Sequence, residues 1–440
     1  MAANPMLNIM LHCSGIAIID AFERIVQSFL PNNRLIGPRN YYLKDTKERV
    51  DRETSGSLRT KQIEEYIASS IMIHCADGWG YLSRSVESLL NGDIPNSIHF
   101  AYYAELRSAM SIMAHEGIGI FNRQHIWFDD TKVPTLFKGY TTHGAVDQGM
   151  NEWSNLSSKK DSIFGSFKVN NHSFSDWIRE TGSSTKSKYT TSVINKWLKK
   201  WSIDLHFKGD QDLRNELSYR PHFNSSSVNI EDVLTKLSQI WQLLEPTHSN
   251  SFHLLDQHFL RIVLEEIYSK STGKDPKDSD YKSWLGNTFT RLGENDQQEL
   301  FRFLLRLSNP NNPVLLEEAK KDNSDIGINK NDPFPIICRA ILLLRLATGV
   351  THRLIQNSSA TVDSLKFWWE DVALKHGFTN SIPSGIDPID LFTDIRDSIN
   401  EFDGRVPGSI QHVKDAFNTL GGPLFYLKQF ERPGIWGMGL

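Results

Sequence analysis

The side chains in this sequence best suited to chemistry are an arginine and the tyrosine and histidine that follow it. In the segment LRNELSYRPHF, Arg214 precedes Asn215, with Tyr219 and His222 further along. Arginine donates two hydrogen bonds in fixed geometry to phosphate oxygens, and histidine, with a pKa of about 6.5, gives or takes a proton near neutral pH. The segment could therefore hold an anionic group at Arg214 and transfer a proton at His222, with Tyr219 as a further polar contact.

Each of these side chains also has a purely structural interpretation. Arg214 at a helix end could pair with a carboxylate and hold the end of a helical bundle, and His222, which follows Pro221, could be a surface loop residue. Tyr219 is a poor base at neutral pH because the pKa of a phenol is about 10. The catalytic and structural interpretations both stay open at this point.

A second candidate set lies on the segment from Ile94 to Phe121. Asp93 and Pro95 predict the start of a helix there, because Asp accepts hydrogen bonds from free amides and Pro lacks the amide that a first turn cannot use. Apolar and polar residues then recur at helical spacing on two separate faces. The polar face contains His99, Tyr103, Arg107, Ser111 and His115. We expect Tyr103 and Arg107 to point into the bundle or a cleft, as an interior polar network or as nucleic-acid contacts.

The densest basic region of the sequence comes just before Arg214. It contains Lys199, Lys200 and Lys208, with Lys186 and Lys188 further upstream. Clustered lysines usually form a solvated face, but beside Arg214 they could also meet RNA phosphates. The sequence contains neither a metal-ligand spacing nor a glycine-rich phosphate loop, so we expect no metal and no cofactor.

The composition limits the class of protein. The 440 residues are 39% hydrophobic and 11% aromatic, enough for two or three folded domains. The net charge of −4 argues against a globally basic nucleic-acid binder but leaves room for local basic patches. The three cysteines are widely spaced and form neither a metal pattern nor a disulfide framework, which predicts a reducing, cytoplasmic location.

Two apolar stretches could be mistaken for targeting or membrane segments. The N-terminal run MLNIMLHCSGIAIIDAF lacks a basic leader and contains Asp20, so we interpret it as a core helix rather than a signal peptide. The segment from Ile336 to Val350 is interrupted by Arg339 and Arg345 and falls short of the about 18 apolar residues that span a membrane.

Helical spacing dominates the chain and predicts a mainly α fold. Residues 1–30 are predicted to be helical, residues 36–60 irregular, and residues 60–90 one long helix whose Gly78 and Gly80 permit close packing. Asn91-Gly92 predicts a tight antiparallel hairpin with the helix that follows. Asp210 is predicted to cap the Arg214 helix, which Pro221 ends. Further predicted helices cover 172–182, 190–201, 230–244, 252–269, 278–292, 297–307, 314–321, 334–355, 361–376 and 389–399.

The segment GWGYLSRSVESLLNGDIPNSIHFAYYAELRSAMSIM resembles the central hairpin of HEPN domains, and LRNELSYRP resembles the Arg-Asn segment near the last helix of that family. The resemblance implies an HEPN-like helical bundle over residues 60–245 with a large insertion at about 122–200. An N-terminal helix and irregular segment would then occupy residues 1–59. A C-terminal α-helical domain would occupy residues 251–440.

The resemblance also implies a context. HEPN domains include metal-independent ribonucleases and non-catalytic binding domains, and many belong to prokaryotic antiviral defence or toxin–antitoxin systems. Catalytic members carry a histidine a few residues after the arginine, whereas seven residues, including Pro221, separate Arg214 from His222. We therefore expect a defence or toxin-type component that binds protein or nucleic acid. A metal-independent HEPN-type endoribonuclease is the first alternative that the resemblance implies, with Arg214 on the phosphate, His222 as acid or base and Tyr219 orienting the phosphate. A helical scaffold without a nucleic-acid role, favoured by the acidic pI, is the second alternative.

The resemblance and the aromatic content both favour assembly with other chains. HEPN-like domains generally pair, so we expect a homodimer or a complex with other defence-system proteins, with RNA as a possible further partner and no membrane. Trp368 and Trp369 are adjacent and cannot both face one core, so one of them is expected on a partner surface.

Overall fold

The computed structural model describes residues 5–53, 58–156, 167–182, 207–219, 229–248, 250–321, 332–379, 387–405, 421 and 424–438. Over these residues the chain is mainly helical, which confirms the predicted mainly α fold. The HEPN-like assignment of that fold is not tested by its helical content and stays a prediction.

The centre of the fold is a hairpin of two long helices, α4 (Thr60–Leu90) and α5 (Ile94–His115). The Asp93 carboxylate accepts a hydrogen bond from the amide of Asn96, and Pro95 occupies the first turn of α5. The hydroxyls of Ser85 and Ser111 donate to the carbonyls of Ser97 and Ile71, each at 2.7 Å. Bonds between these positions require antiparallel helices, so the predicted hairpin is confirmed.

A third long helix, α14 (Phe334–Gln356), packs against both helices of the hairpin. Gly78 permits the close approach, because a Cβ atom at this position would lie 2.8 Å from the Leu344 side chain. The residues of α14 from Phe334 to Thr351 are all buried. The helix is long and apolar enough to cross a membrane by composition, but its most apolar window is fully enclosed by the protein, as in a core helix.

The two arginines that interrupt this apolar helix are paired inside the core. Arg345 donates to both carboxylate oxygens of Asp256, at 2.9 and 2.8 Å. Arg339 donates to both carboxylate oxygens of Asp210, at 3.1 and 2.7 Å, and to the Lys321 carbonyl at 3.0 Å. Asp210 lies in α8 (Phe207–Tyr219), so the Arg339 pair joins α8 to α14.

The predicted capping role of Asp210 is wrong. The helix begins at Phe207, so Asp210 lies within its first turn and is fully buried. The Asp210 carboxylate serves the tertiary fold rather than the helix end, because Arg339 donates a hydrogen bond to each of its two oxygens. The interval from Asp210 to Pro221 indicated the helix correctly. It could not reveal Arg339, which is distant in the sequence, as the partner of Asp210.

The N-terminal region differs from the predicted single helix followed by an irregular segment. It forms α1 (Pro5–His12) and α2 (Ile16–Ser28), separated where the amide of Ser14 donates to the Phe128 carbonyl at 2.8 Å. The prediction that residues 36–60 are irregular is wrong, because Tyr41–Arg52 form α3, capped by Asn40. Its buried positions are Tyr42, Thr46 and Val50, too few apolar residues to produce a clear helical pattern.

Residues 118–182 contain the small sheets of the structure. β2 (Gln124–Phe128) pairs antiparallel with β1 (Ile118–Gly119) and with β3 (Pro134–Lys138), and α6 (Thr142–Asn155) follows. β4 (Lys168–Val169) and β5 (His172–Ser173) form a second antiparallel pair. Ser173 then starts α7 (Phe174–Glu180) with a capping box. The predicted helix at 190–201 lies outside the described residues.

The rest of the described chain is helical. The remaining helices are α9 (Ile230–Leu243), α10 (His253–Thr272), α11 (Ser279–Leu292), α12 (Gln298–Leu304), α13 (Val314–Ala319), α15 (Val362–Lys375), α16 (Pro388–Arg405) and α17 (Pro433–Met438). Their buried residues belong to the same hydrophobic cluster as those of α4 and α5. The segments assigned from sequence to a bundle and to a C-terminal domain therefore share a continuous core.

Candidate nucleic-acid interface

The structure describes part of the site predicted from sequence. Arg214 and Asn215 lie on α8, and Tyr103 and Arg107 lie on α5. Lys208 and Tyr219 belong to α8 by their backbone, but their side chains are outside the described part of the chain. His222, Lys199 and Lys200 also lie outside the described residues.

Arg214 lies where α8 packs against α5. Its guanidinium carbon is 5.3 Å from the ring centre of Tyr102 and 5.5 Å from that of Tyr103, within the range of a cation–π contact. Its Nε is buried and has no hydrogen-bond partner among the described residues. Within the same residues Arg214 forms no ion pair. A carboxylate of this helix that does pair with an arginine is that of Asp210, one turn earlier on α8, and its partner is Arg339.

Two histidines approach the same tyrosines from different elements. The His99 ring, on α5, lies 5.0 Å from the Tyr103 ring, and Nδ1 of His143, on α6, lies 2.6 Å from the Tyr102 hydroxyl. Burial lowers the pKa of both imidazoles, and the positive charge of Arg214 lowers it further. Both rings are therefore neutral near pH 7, and we call Arg214, Tyr102, Tyr103, His99 and His143 the Arg214 cluster.

Tyr102 belongs to this cluster although it is a core residue. Its side chain is 1% exposed. Its hydroxyl nevertheless reaches His143, and burial raises the pKa of the phenol, so the hydroxyl keeps its proton. Tyr102 thus holds the His143 ring by a hydrogen bond and presents its own ring to Arg214.

Arg107 belongs to a neighbouring polar network between α4 and α5. Its Nη1 donates to Nδ1 of His74 at 3.0 Å and lies 3.8 Å from the Asp77 carboxylate. Burial, with a contribution from Arg107, lowers the pKa of His74 to about 3, so His74 stays neutral and accepts this bond. The side chain of Arg107 is 30% exposed. The arrangement is a partly exposed polar network, and a nucleic-acid contact at Arg107 stays a prediction.

Sequence reasoning identified Arg214 and Tyr103 but did not assign His99 or His143 to the site. His99 carried a usable signal, because it lies four residues before Tyr103 on the polar face of α5. His143 carried none, because the chain brings α6 back to α5 only through tertiary packing. His143 could therefore not be predicted from the sequence, because it lies far along the chain from the other residues of the cluster.

The cluster combines a half-buried cation, two aromatic faces and two neutral imidazoles. Such a surface can bind a phosphate through Arg214 and stack an unpaired base, and the imidazoles can accept protons. Among the described residues no group of three or more His, Cys, Asp or Glu side chains could hold a metal ion. Compared with protein-family models, with curated proteins and with solved structures, the chain matches none of them.

Proposed function

We propose that this chain is an HEPN-like, cytoplasmic component of a prokaryotic antiviral defence or toxin-type system that binds single-stranded RNA at the Arg214 cluster. The observation that carries the proposal is the Arg214 guanidinium, which lies over two tyrosine rings and has no carboxylate partner among the described residues. A structural arginine in a protein interior is normally paired with an acidic group. An unpaired one at a half-buried position suits a phosphate that arrives with the ligand.

The kind of nucleic acid follows from the aromatic residues. Protein side chains recognise single-stranded RNA by stacking unpaired bases on aromatic rings and arginine planes. The Arg214 cluster offers the rings of Tyr103 and His99, both half-buried, beside the cation. The acidic net charge of the chain makes non-specific binding weak, so binding depends on this local site. The experiment is RNA binding in metal-free buffer by the wild-type chain and by Arg214→Ala.

Metal-independent RNA cleavage is the second candidate, and His99 and His143 favour it. Cleavage needs a base for the 2′-hydroxyl, an acid for the leaving 5′-oxygen and a cation for the phosphate. The imidazoles are candidates for the first two roles and Arg214 for the third. Tyr219 and His222, the partners expected from sequence, stay candidates for the same reaction.

The pH profile of cleavage should reveal this imidazole pair. Because the pKa of both rings is lowered, the base is present at pH 7 but its protonated partner is scarce. The rate should therefore rise as the pH falls below about 7, and fall again once both rings carry a proton. Initial rates of RNA cleavage in chelator-containing buffer measure the profile. His99→Gln and His143→Gln should each remove one limb, whereas a maximum above neutral pH would contradict the assignment.

We propose also that the chain works as a homodimer or in a complex with other defence-system proteins. The described surface exposes large apolar side chains, among them Phe425 at 45% and Tyr426 at 38%, which are adjacent on one segment. Burial of such a pair in a partner interface would remove it from water. Light scattering at micromolar concentration is expected to give at least twice the monomer mass. A monomeric mass in light scattering, together with no partner recovered with the protein from cells, would count against assembly.

A further inference from the structure

A cleft of about 590 Å³ separates α4 from α15 and from the segment 424–438. Its volume lies in the range of sites that enclose small organic molecules or single groups of larger ligands. Its floor includes the buried ring of Trp79 and the backbone of Gly80. We call it the tryptophan cleft, after Trp368 and Trp369, which both line it.

The walls of the tryptophan cleft are aromatic on several sides. Trp368 is half-buried and contacts no other aromatic ring among the described residues, whereas Trp369 is 7% exposed. Tyr81 and Phe425 complete the aromatic lining. Adjacent tryptophans were expected to divide between core and partner surface, and the half-buried Trp368 leaves an indole available to a ligand in this cleft.

Among the described residues the rim carries an arginine without a close ion pair, although its charge favours the ionised form of the Asp77 carboxyl group, which also lines the cleft. Lys428 lies 3.1 Å from the Glu87 carboxylate, and His376 lies 2.7 Å from that of Glu431. Arg84, by contrast, forms no ion pair among the described residues, and its guanidinium lies 5.8 Å from the Tyr81 ring centre. Arg84 is therefore the rim group best able to meet an anionic ligand group.

The tryptophan cleft adjoins the Arg214 cluster through one contact between aromatic rings. Tyr81 lines the cleft, and its ring lies 5.4 Å from that of Tyr103. Tyr103 in turn lies under Arg214. One chain of aromatic rings thus leads from the proposed phosphate site into the cleft.

We infer that the tryptophan cleft takes one unstacked nucleobase of the single-stranded RNA bound at the Arg214 cluster, stacked against Trp368, with the adjacent phosphate at Arg84. This inference rests on the proposed function. Aromatic walls and a rim arginine without a close ion pair among the described residues match a base attached to a phosphate. The ring contact between Tyr81 and Tyr103 sets the cleft beside the cluster that binds the rest of the strand.

The test measures fluorescence anisotropy of a labelled single-stranded RNA of about 12 nucleotides. Trp368→Ala removes the stacking surface, and Gly80→Trp fills the cleft, since a Cβ at Gly80 meets only Glu431, at 3.5 Å. Leu374→Ala, an exposed apolar change on α15 outside the cleft, is the matched control. AMP serves as a probe of the cleft alone, and thermal unfolding identifies any variant that does not fold.

Trp368→Ala and Gly80→Trp should each weaken RNA binding about tenfold to hundredfold, as expected for the loss of one stacked base, while the Leu374→Ala control binds like wild type. If Arg214→Ala weakens binding but neither cleft variant does, the inference is overturned and the proposed function stands. AMP binding that depends on Trp368, with RNA binding that does not, would make the cleft a free-nucleotide site and also overturn it. Wild-type protein that binds no RNA would remove the proposed function and this inference together.

Discussion

Arg214→Ala is expected to weaken binding of single-stranded RNA by about tenfold to hundredfold, because hydrogen bonds to a charged group contribute about 1.5–3 kcal/mol each. Its free energy of unfolding should fall by no more than about 1 kcal/mol, since among described residues the guanidinium contacts tyrosine rings and no buried carboxylate. Anisotropy titrations in metal-free buffer and chemical denaturation measure the two quantities.

Two further variants separate geometry from charge. Arg214→Lys keeps the charge but loses the fork of donors, so it should recover only part of the affinity. Arg302→Ala removes an exposed charge on α12 and should bind like wild type. Equal losses from Arg214→Ala and Arg302→Ala would indicate non-specific attraction. No RNA binding by the wild-type chain, alone or with its partners, would leave protein binding or the scaffold alternative.

Arg339→Met should destabilise the fold by about 3–5 kcal/mol, the typical cost of removing one partner from a buried ion pair. Asp210 is fully buried, and Arg339 donates two of its hydrogen bonds to the Asp210 carboxylate. Glu105, also buried, lies 3.7 Å from Arg339, and burial together with Asp210 raises the pKa of its carboxyl group. Without Arg339, the Asp210 carboxylate would have to stay charged without its cation or take up a proton. Chemical denaturation near pH 7 measures the change.

The double variant Arg339→Met with Asp210→Leu is the control for this prediction. It removes both charges, so much of the lost stability should return even though the hydrogen bonds do not. RNA binding by the single variant should fall only in proportion to the unfolded fraction, because Arg339 holds α8 rather than contacting the ligand. A loss of stability below about 1 kcal/mol would show that the buried pair does not hold α8 in place.

The central hairpin could be predicted because its signals are local. Asp93, Pro95 and the Asn91-Gly92 turn lie next to the residues they organise, and Gly92 has a φ of 74°, which favours glycine. The α3 helix was missed because its stability depends on an Asn40 cap and on a few buried side chains, not on a repeated apolar face. Local chemistry that needs no distant partner is readable in a single sequence.

The sequence by itself determined the helical class of this protein, the hairpin and the presence of an arginine with aromatic neighbours that could meet RNA. Only the tertiary structure decided which side chains meet that arginine. It assigned the buried acid Asp210 to Arg339, left Arg214 over Tyr102 and Tyr103, and brought His143 from α6 to Tyr102. The physical reason is that helical periodicity specifies which face of each helix is apolar, whereas pairing among polar groups depends on the packing of helices distant in the chain.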